Sequence, residues 1–154
     1  MLCYRLPREP STPRITVWRK LKRLGVAQLT DGLVTLPADP RTQEQLEWIA
    51  DEVVRADGEA SIWLARPASV DQERDLVARL SAARAEEYQA VIDEVQATGE
   101  AGPREARRVG ERLRAELRRI ARRDYFPPDE RELAHAAVRS LLADRTAADS
   151  DVPS

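Results

Sequence analysis

Two sets of basic side chains carry the concentrated chemistry of this sequence. The first is Arg19, Lys20, Lys22 and Arg23, preceded by Arg14, within the run Tyr4–Pro37. Guanidinium forks and ammonium point charges on one short helix suit phosphate. The second runs from Arg104 to Arg123, where nine arginines surround a narrow apolar stripe. Only Glu105, Glu111 and Glu116 interrupt it, too few to pair every arginine at i, i+4. Unpaired arginines need solvent or a partner. That partner is either nucleic acid or the acidic helix before them, folded back antiparallel. For nucleic acid the candidate contacts are Arg14, Arg19, Lys20, Lys22 and Arg23 in the first set, with Arg104, Arg108, Arg112, Arg119 and Arg123 in the second. Such contacts are electrostatic and imply no base readout. A solvated charged face is the alternative for both.

Catalysis and metal binding have little to draw on. The sole histidine, His135, lies in an alanine-rich helical stretch without a cysteine or second histidine nearby, so it anchors no conventional zinc site. There is no Gly-rich phosphate loop, nucleophile elbow or Cys-x-x-Cys. Cys3 reads as a small apolar filler beside a strand. The pairs Glu86-Glu87 and Asp93-Glu94 are adjacent on an amphipathic helix, so their carboxylates point to different sides and read as solvated. The expectation is a protein that is not an enzyme, with no cofactor and no metal.

The net charge of −2 conceals segregation. Residues 1–25 hold seven Lys/Arg against Glu9, a balance of +6. Residues 39–100 hold fifteen Asp/Glu against six Arg, or −9, and residues 101–123 hold nine Arg against three Glu, or +6. Blocks of this size build an electropositive surface on a chain of pI about 5.6, unless they neutralise one another within the fold. No apolar run approaches the roughly 20 residues that span a bilayer. The start of the chain lacks a signal-peptide core, and a lone cysteine forms no internal disulfide. The expected location is the cytoplasm, with no membrane partner.

The elements that must position these charges follow from periodicity. Leu2, Tyr4 and Leu6 alternate as a short strand. Pro7, Pro10 and Pro13 delay the helix, which Ser11 or Thr12 can cap. At about 100° per residue, Val17, Trp18, Leu21 and Leu24 share one arc with Ile15 at its margin, opposite the basic arc. Gly25 ends this helix. Val26–Leu36 reads as a hairpin turned at Asp31-Gly32. Thr42 and Gln45 form a capping-box pattern for a helix that ends near Gly58. Ser61–Ala65 reads as a strand with Ile62 and Leu64 on one face. The fold class is α+β: a ferredoxin-like β-α-β-β-α-β module over residues 1–67. An all-helical extension follows over 68–145, comprising a long helix from a Ser69/Gln72 box to Thr98, the arginine-rich helix, and a last helix from Asp129 to Leu142. Residues 146–154 read as a disordered tail.

The block from Arg5 to Arg14, continued by Val17-Trp-Arg-Lys-Leu-Lys-Arg-Leu-Gly25 and Asp31-Gly-Leu-Val-Thr-Leu-Pro37, resembles the N-terminal domain of the chromate-resistance regulator ChrB. Glu47-Trp48, Trp63-Leu64-Ala65-Arg66, Glu86-Glu87-Tyr88 and Arg123-Asp124-Tyr125-Phe126 share in the resemblance, which covers residues 4 to about 143. A more distant likeness is to the ferredoxin-like middle domain of PaaX-type repressors, a fold shared with a CRISPR-associated nuclease. The aspartate that follows the nuclease's first strand has no counterpart in Leu6-Pro7-Arg8, so nuclease activity does not carry over. The resemblance implies transcriptional regulation of chromate resistance with DNA as partner. It also implies a C-terminal sensor domain in full-length relatives, before which this sequence stops. The chain is then expected to be a stand-alone regulator fragment, a homodimer, or one half of a split system whose partner chain carries the missing domain. Two other roles stay open: an interaction or dimerisation module, and an arginine site for chromate or another oxyanion.

Overall fold

A computed structural model describes residues 1–99 and 101–149, with side chains described through residue 143. The architecture is α+β, with five helices and one four-stranded antiparallel sheet. Its elements are β1 (Leu2–Arg5), α1 (Thr12–Leu24), β2 (Ala27–Thr30), β3 (Leu33–Thr35), α2 (Pro40–Arg55), β4 (Glu59–Ile62), α3 (Val70–Ala97), α4 (Pro103–Ala121) and α5 (Glu130–Asp149). The chain divides into two compact units, Met1–Leu80 and Ser81–Ser154.

In the first unit the sheet order is β2-β3-β1-β4, so β1 is internal and pairs antiparallel with both neighbours. Leu2 lies opposite Val34 on one side and Ile62 on the other, and Arg5 lies opposite Glu59. Period-two alternation buries Leu2, Ala27 and Val34 while exposing Cys3, Gln28 and Thr30. Val17 and Leu21 of α1, with Leu46, Ile49 and Val53 of α2, complete the core of this unit. Trp18 is only half-buried and Ile15 is half exposed, so the apolar arc of α1 is narrower than its sequence indicates.

Local chemistry sets the element ends. Gly25 closes α1 in the left-handed region at φ 76°, its N–H donating to Lys22 O at 3.0 Å. The α2 cap is Asp39 and not Thr42. Asp39 Oδ1 accepts from Thr42 N–H at 2.9 Å, and Thr42 Oγ1 accepts in return from Asp39 N–H at 3.2 Å. Pro40 then occupies the first helical turn, and the buried Thr42 hydroxyl donates to Pro37 O at 2.6 Å. At the other end Asp57, not Gly58, takes the left-handed conformation, and Gly58 N–H donates to Val53 O at 2.9 Å. Gly58 is required for a different reason. A Cβ there would stand 2.5 Å from Arg5 O of β1. β4 begins two residues earlier than the Ser61–Ala65 expectation, and Trp63 and Leu64 lie beyond it, exposed. Ser69 does cap α3, accepting from Gln72 N–H at 3.2 Å.

The core of the second unit joins Tyr88 and Val91 of α3, Leu113, Leu117 and Ile120 of α4, and Ala134 and Val138 of α5. Gly110 brings α4 close to α5, since a Cβ there would fall 2.6 Å from a Leu142 methyl. α5 continues to Asp149, past the expected end at Leu142. Of the tail expected over 146–154, residues 150–154 lie outside the described residues. Among the described residues no helix is long and apolar enough to cross a membrane, and no three His, Cys, Asp or Glu gather as a metal site.

The β2–β3 turn tests this arrangement. Gly32 has φ +73°, and an added Cβ would lie 2.4 Å from Tyr4 O. Gly32→Ala is therefore expected to lower stability by about 2 kcal/mol or more through left-handed strain and backbone overlap. Gly102→Ala, with open space around its Cβ, should change it by less than about 0.5 kcal/mol. Urea denaturation followed by tryptophan fluorescence measures the first, and circular dichroism the second.

Candidate nucleic-acid interface

α1 is held by its apolar side, with Val17 and Leu21 buried and Arg14, Arg19, Lys20, Lys22 and Arg23 exposed. The five cations have different surroundings. Lys20 Nζ lies 2.5 Å from Glu52 Oε2 of α2, tying the two helices together. Lys22 Nζ lies over the Trp18 ring, 5.4 Å from its centroid, in cation–π range. Arg14, Arg19 and Arg23 make no ion pair among the described residues. Arg19 and Arg23, four residues apart, share one side of the helix as neighbours. The face thus offers two adjacent uncommitted guanidiniums, with a third at the helix start.

Arg14 also lines a groove of about 1000 Å³ at the end of β1. The β1–α1 loop contributes Arg8 and Ser11, α1 contributes Trp18, the β2–β3 turn contributes Asp31, and the α2–β4 turn contributes Asp57. Tyr4 lines it as well. Burial raises the Tyr4 phenol above the ordinary tyrosine pKa, Asp31 adds to the shift and Arg14 opposes it. The hydroxyl therefore stays protonated in a field with charges of both signs.

The arginine-rich helix is occupied differently. Within α4, Arg108 pairs with Glu105 at 2.7 Å, Arg107 with Glu111 at 3.3 Å and Arg119 with Glu116 at 3.3 Å. Arg112 pairs with Glu94 of α3, and Arg123 pairs with Glu87 of α3 at 3.0 Å. Hydrogen bonding lowers the Glu105 pKa and raises that of Arg108. Four of the five candidates in this stretch therefore already hold a carboxylate, Arg123 among them from just past the end of α4 at Ala121, and of the five only Arg104 makes no ion pair among the described residues. Arg114 and Arg118, which were not chosen, are exposed and equally without an ion pair among those residues. Pairing at i, i+3 and to α3 distinguishes the two groups, and the count of glutamates within α4 does not reveal it.

The family model described as Protein ChrB, N-terminal, matches residues 14–149. The chain is similar to Protein ChrB of Cupriavidus metallidurans, 28% identical over 147 residues that make up 93% of this chain and 45% of that protein. It thus spans less than half the length of that relative. No solved structure matches it.

Within the matched range, sequence reasoning missed one buried ionic network. Arg84 is 7% exposed, and its Nε lies 3.2 Å from Glu87 Oε2. Arg123 Nη2 approaches the other oxygen of the same glutamate at 3.0 Å. The Tyr88 hydroxyl donates to Asp124 Oδ2 at 2.9 Å, and Arg131 Nη1 lies 3.7 Å from that oxygen. Glu87 is consequently not the solvated carboxylate expected of it. The available signal was the segment pair Glu86-Glu87-Tyr88 and Arg123-Asp124-Tyr125-Phe126. Burial, followed by the bond to Asp124, pushes the Tyr88 pKa strongly upward. Burial lowers that of Arg84 against the opposing pull of Glu87. The folded state keeps the Tyr88 proton that the unfolded chain releases above about pH 10. Its contribution is therefore complete below pH 10 and declines as pH rises beyond it. Tyr88→Phe should cost about 1–2 kcal/mol at neutral pH and make the alkaline decline shallower. Urea denaturation followed by circular dichroism at about pH 8 and about pH 11 measures both.

Proposed function

This chain belongs to the ChrB N-terminal family, and from that membership we propose that it is a regulatory protein of chromate resistance that associates with DNA. The observation that carries the proposal is the uncommitted set on α1: Arg14, Arg19 and Arg23 form no ion pair among the described residues, and Lys22 stands beside them over Trp18. Arginines fixed on a helix by a buried opposite face reach duplex phosphates with little ordering cost. Lys20 takes a lesser part because its ammonium is engaged with Glu52. On α4, Arg104, Arg114 and Arg118 are the arginines best placed to add phosphate contacts. The role is non-enzymatic and cytoplasmic.

We also assign the first unit to the ferredoxin-like class. Support comes from the order β-α-β-β-α-β together with β1 lying between β3 and β4. The second role we consider is that of an interaction module whose partner is a second copy or a chain carrying the remaining half of ChrB-type proteins. It is favoured by the α4 arginines, most of which are satisfied by carboxylates and are thus organised for packing. Chromate or another oxyanion would require donors that converge, and the arginines of α4 are spread around the helix.

Fluorescence anisotropy with duplex DNA from the chain's own upstream region, at about 50–200 mM salt, tests DNA association. Affinity should fall with salt, and Arg19→Ala/Arg23→Ala should reduce the log–log slope by about 2. Lys20→Ala should leave the slope nearly unchanged. Absence of binding at the lowest salt rejects the proposal.

A further inference from the structure

The groove at the end of β1 is lined by six charged side chains, Arg5, Arg8 and Arg14 against Asp31, Asp57 and Glu59. Among the described residues none of the six forms an ion pair with another. Gln28 donates to Asp31 Oδ1 at 3.3 Å, which leaves the carboxylate with further lone pairs to accept from a ligand. Opposite charges sharing one concave surface without pairing leave both kinds of group available to a ligand. Tyr4 and Trp18 line the same groove and supply aromatic faces.

We infer that this groove binds a nucleotide unit, with phosphate at Arg8 and Arg14, the base against Trp18 or Tyr4, and sugar hydroxyl or base amino groups at the carboxylates. Each part matches a known preference. Arginine forks take phosphate oxygens, aromatic rings stack on bases, and carboxylates accept from ribose hydroxyls and exocyclic amines. A simple inorganic anion would use the arginines alone and would face Asp31 and Asp57 without compensation. A volume of about 1000 Å³ also exceeds what such an anion fills. The nucleotide can be free or belong to a nucleic-acid strand. Arg14 is shared with the duplex contact proposed above, whereas Arg8, Tyr4 and the carboxylates belong to the groove alone, and the inference does not depend on Arg19 and Arg23.

Isothermal titration of the full chain with deoxyadenosine 5′-monophosphate, deoxyadenosine, inorganic phosphate and a single-stranded oligonucleotide of about ten residues tests the site. The monophosphate or the oligonucleotide should bind saturably, with deoxyadenosine and inorganic phosphate each about tenfold weaker or more. Arg8→Glu and Arg14→Glu should each weaken binding about tenfold, and Arg8→Lys should restore part of it. Circular dichroism confirms that the variants are folded. An oligonucleotide that binds about tenfold tighter than the monophosphate and displaces it identifies a strand as the source. Monophosphate binding that the oligonucleotide does not displace identifies free nucleotide. Three results overturn the inference: no saturable binding of either compound, inorganic phosphate binding as tightly as the monophosphate, or affinity unchanged by both charge reversals. Oligonucleotide binding that is lost only in Arg19→Ala/Arg23→Ala, with no saturable binding of the monophosphate, also overturns it, while leaving the duplex proposal intact.

Discussion

The first unit depends on how closely other backbone can approach the end of β1. On one side Tyr4 N–H donates to Gly32 O at 2.7 Å, and a Cβ on Gly32 would overlap Tyr4 O. On the other, Gly58 sits against Arg5 O with similar closeness. These two contacts bring the β2–β3 turn and the α2–β4 turn to the same end of the sheet, where the β1–α1 loop leaves it. The groove charges, the start of α1 and the direction of its arginines all follow from that convergence. Glycine is needed at position 32 for conformation and space together and at position 58 for space alone, since Asp57 takes the left-handed turn.

The second unit relies on charge where the first relies on backbone proximity. Three guanidiniums, Arg84, Arg123 and Arg131, meet two carboxylates, Glu87 and Asp124, so the cluster carries one excess positive charge. Asp124 Oδ1 and the Nε atoms of all three arginines lack hydrogen-bond partners among the described residues. Coulombic attraction across several partners, with one hydrogen bond from Tyr88, is what offsets desolvation. The network connects α3, the segment after α4, and α5. Removing one partner would leave a desolvated charge uncompensated, which ties the three segments together.

Much of this was legible in the sequence where one residue decides the local outcome. Gly25 and Asp31-Gly32 gave the end of α1 and the hairpin turn because left-handed backbone favours few residue types. The α2 cap was misplaced because Thr42 and Gln45, three residues further on, satisfy the spacing of the box that Asp39 and Thr42 form. β4 was misplaced because the apolar run Ile62-Trp63-Leu64 reads as a strand, whereas the strand is defined by pairing with β1 from Glu59 to Ile62. The arginines were found but not sorted. Lys20, Arg112 and Arg123 differ from Arg19 and Arg23 only in carboxylates 18 to 36 residues away in sequence, a distance over which composition carries no information about contact.

The internal position of β1 also sets an order in time. Leu2 pairs with Val34 and with Ile62, partners 32 and 60 residues later in the chain. At synthesis rates of about 5–20 residues per second, the strand waits on the order of 3–12 s for its second neighbour. The α4–α5 contacts, by contrast, join consecutive helices and form on much shorter timescales. A strand that occupies the middle of the sheet is thus made before both of its neighbours and enclosed only when the later one arrives. Its short length and the charge of Arg5 limit what it can pair with meanwhile.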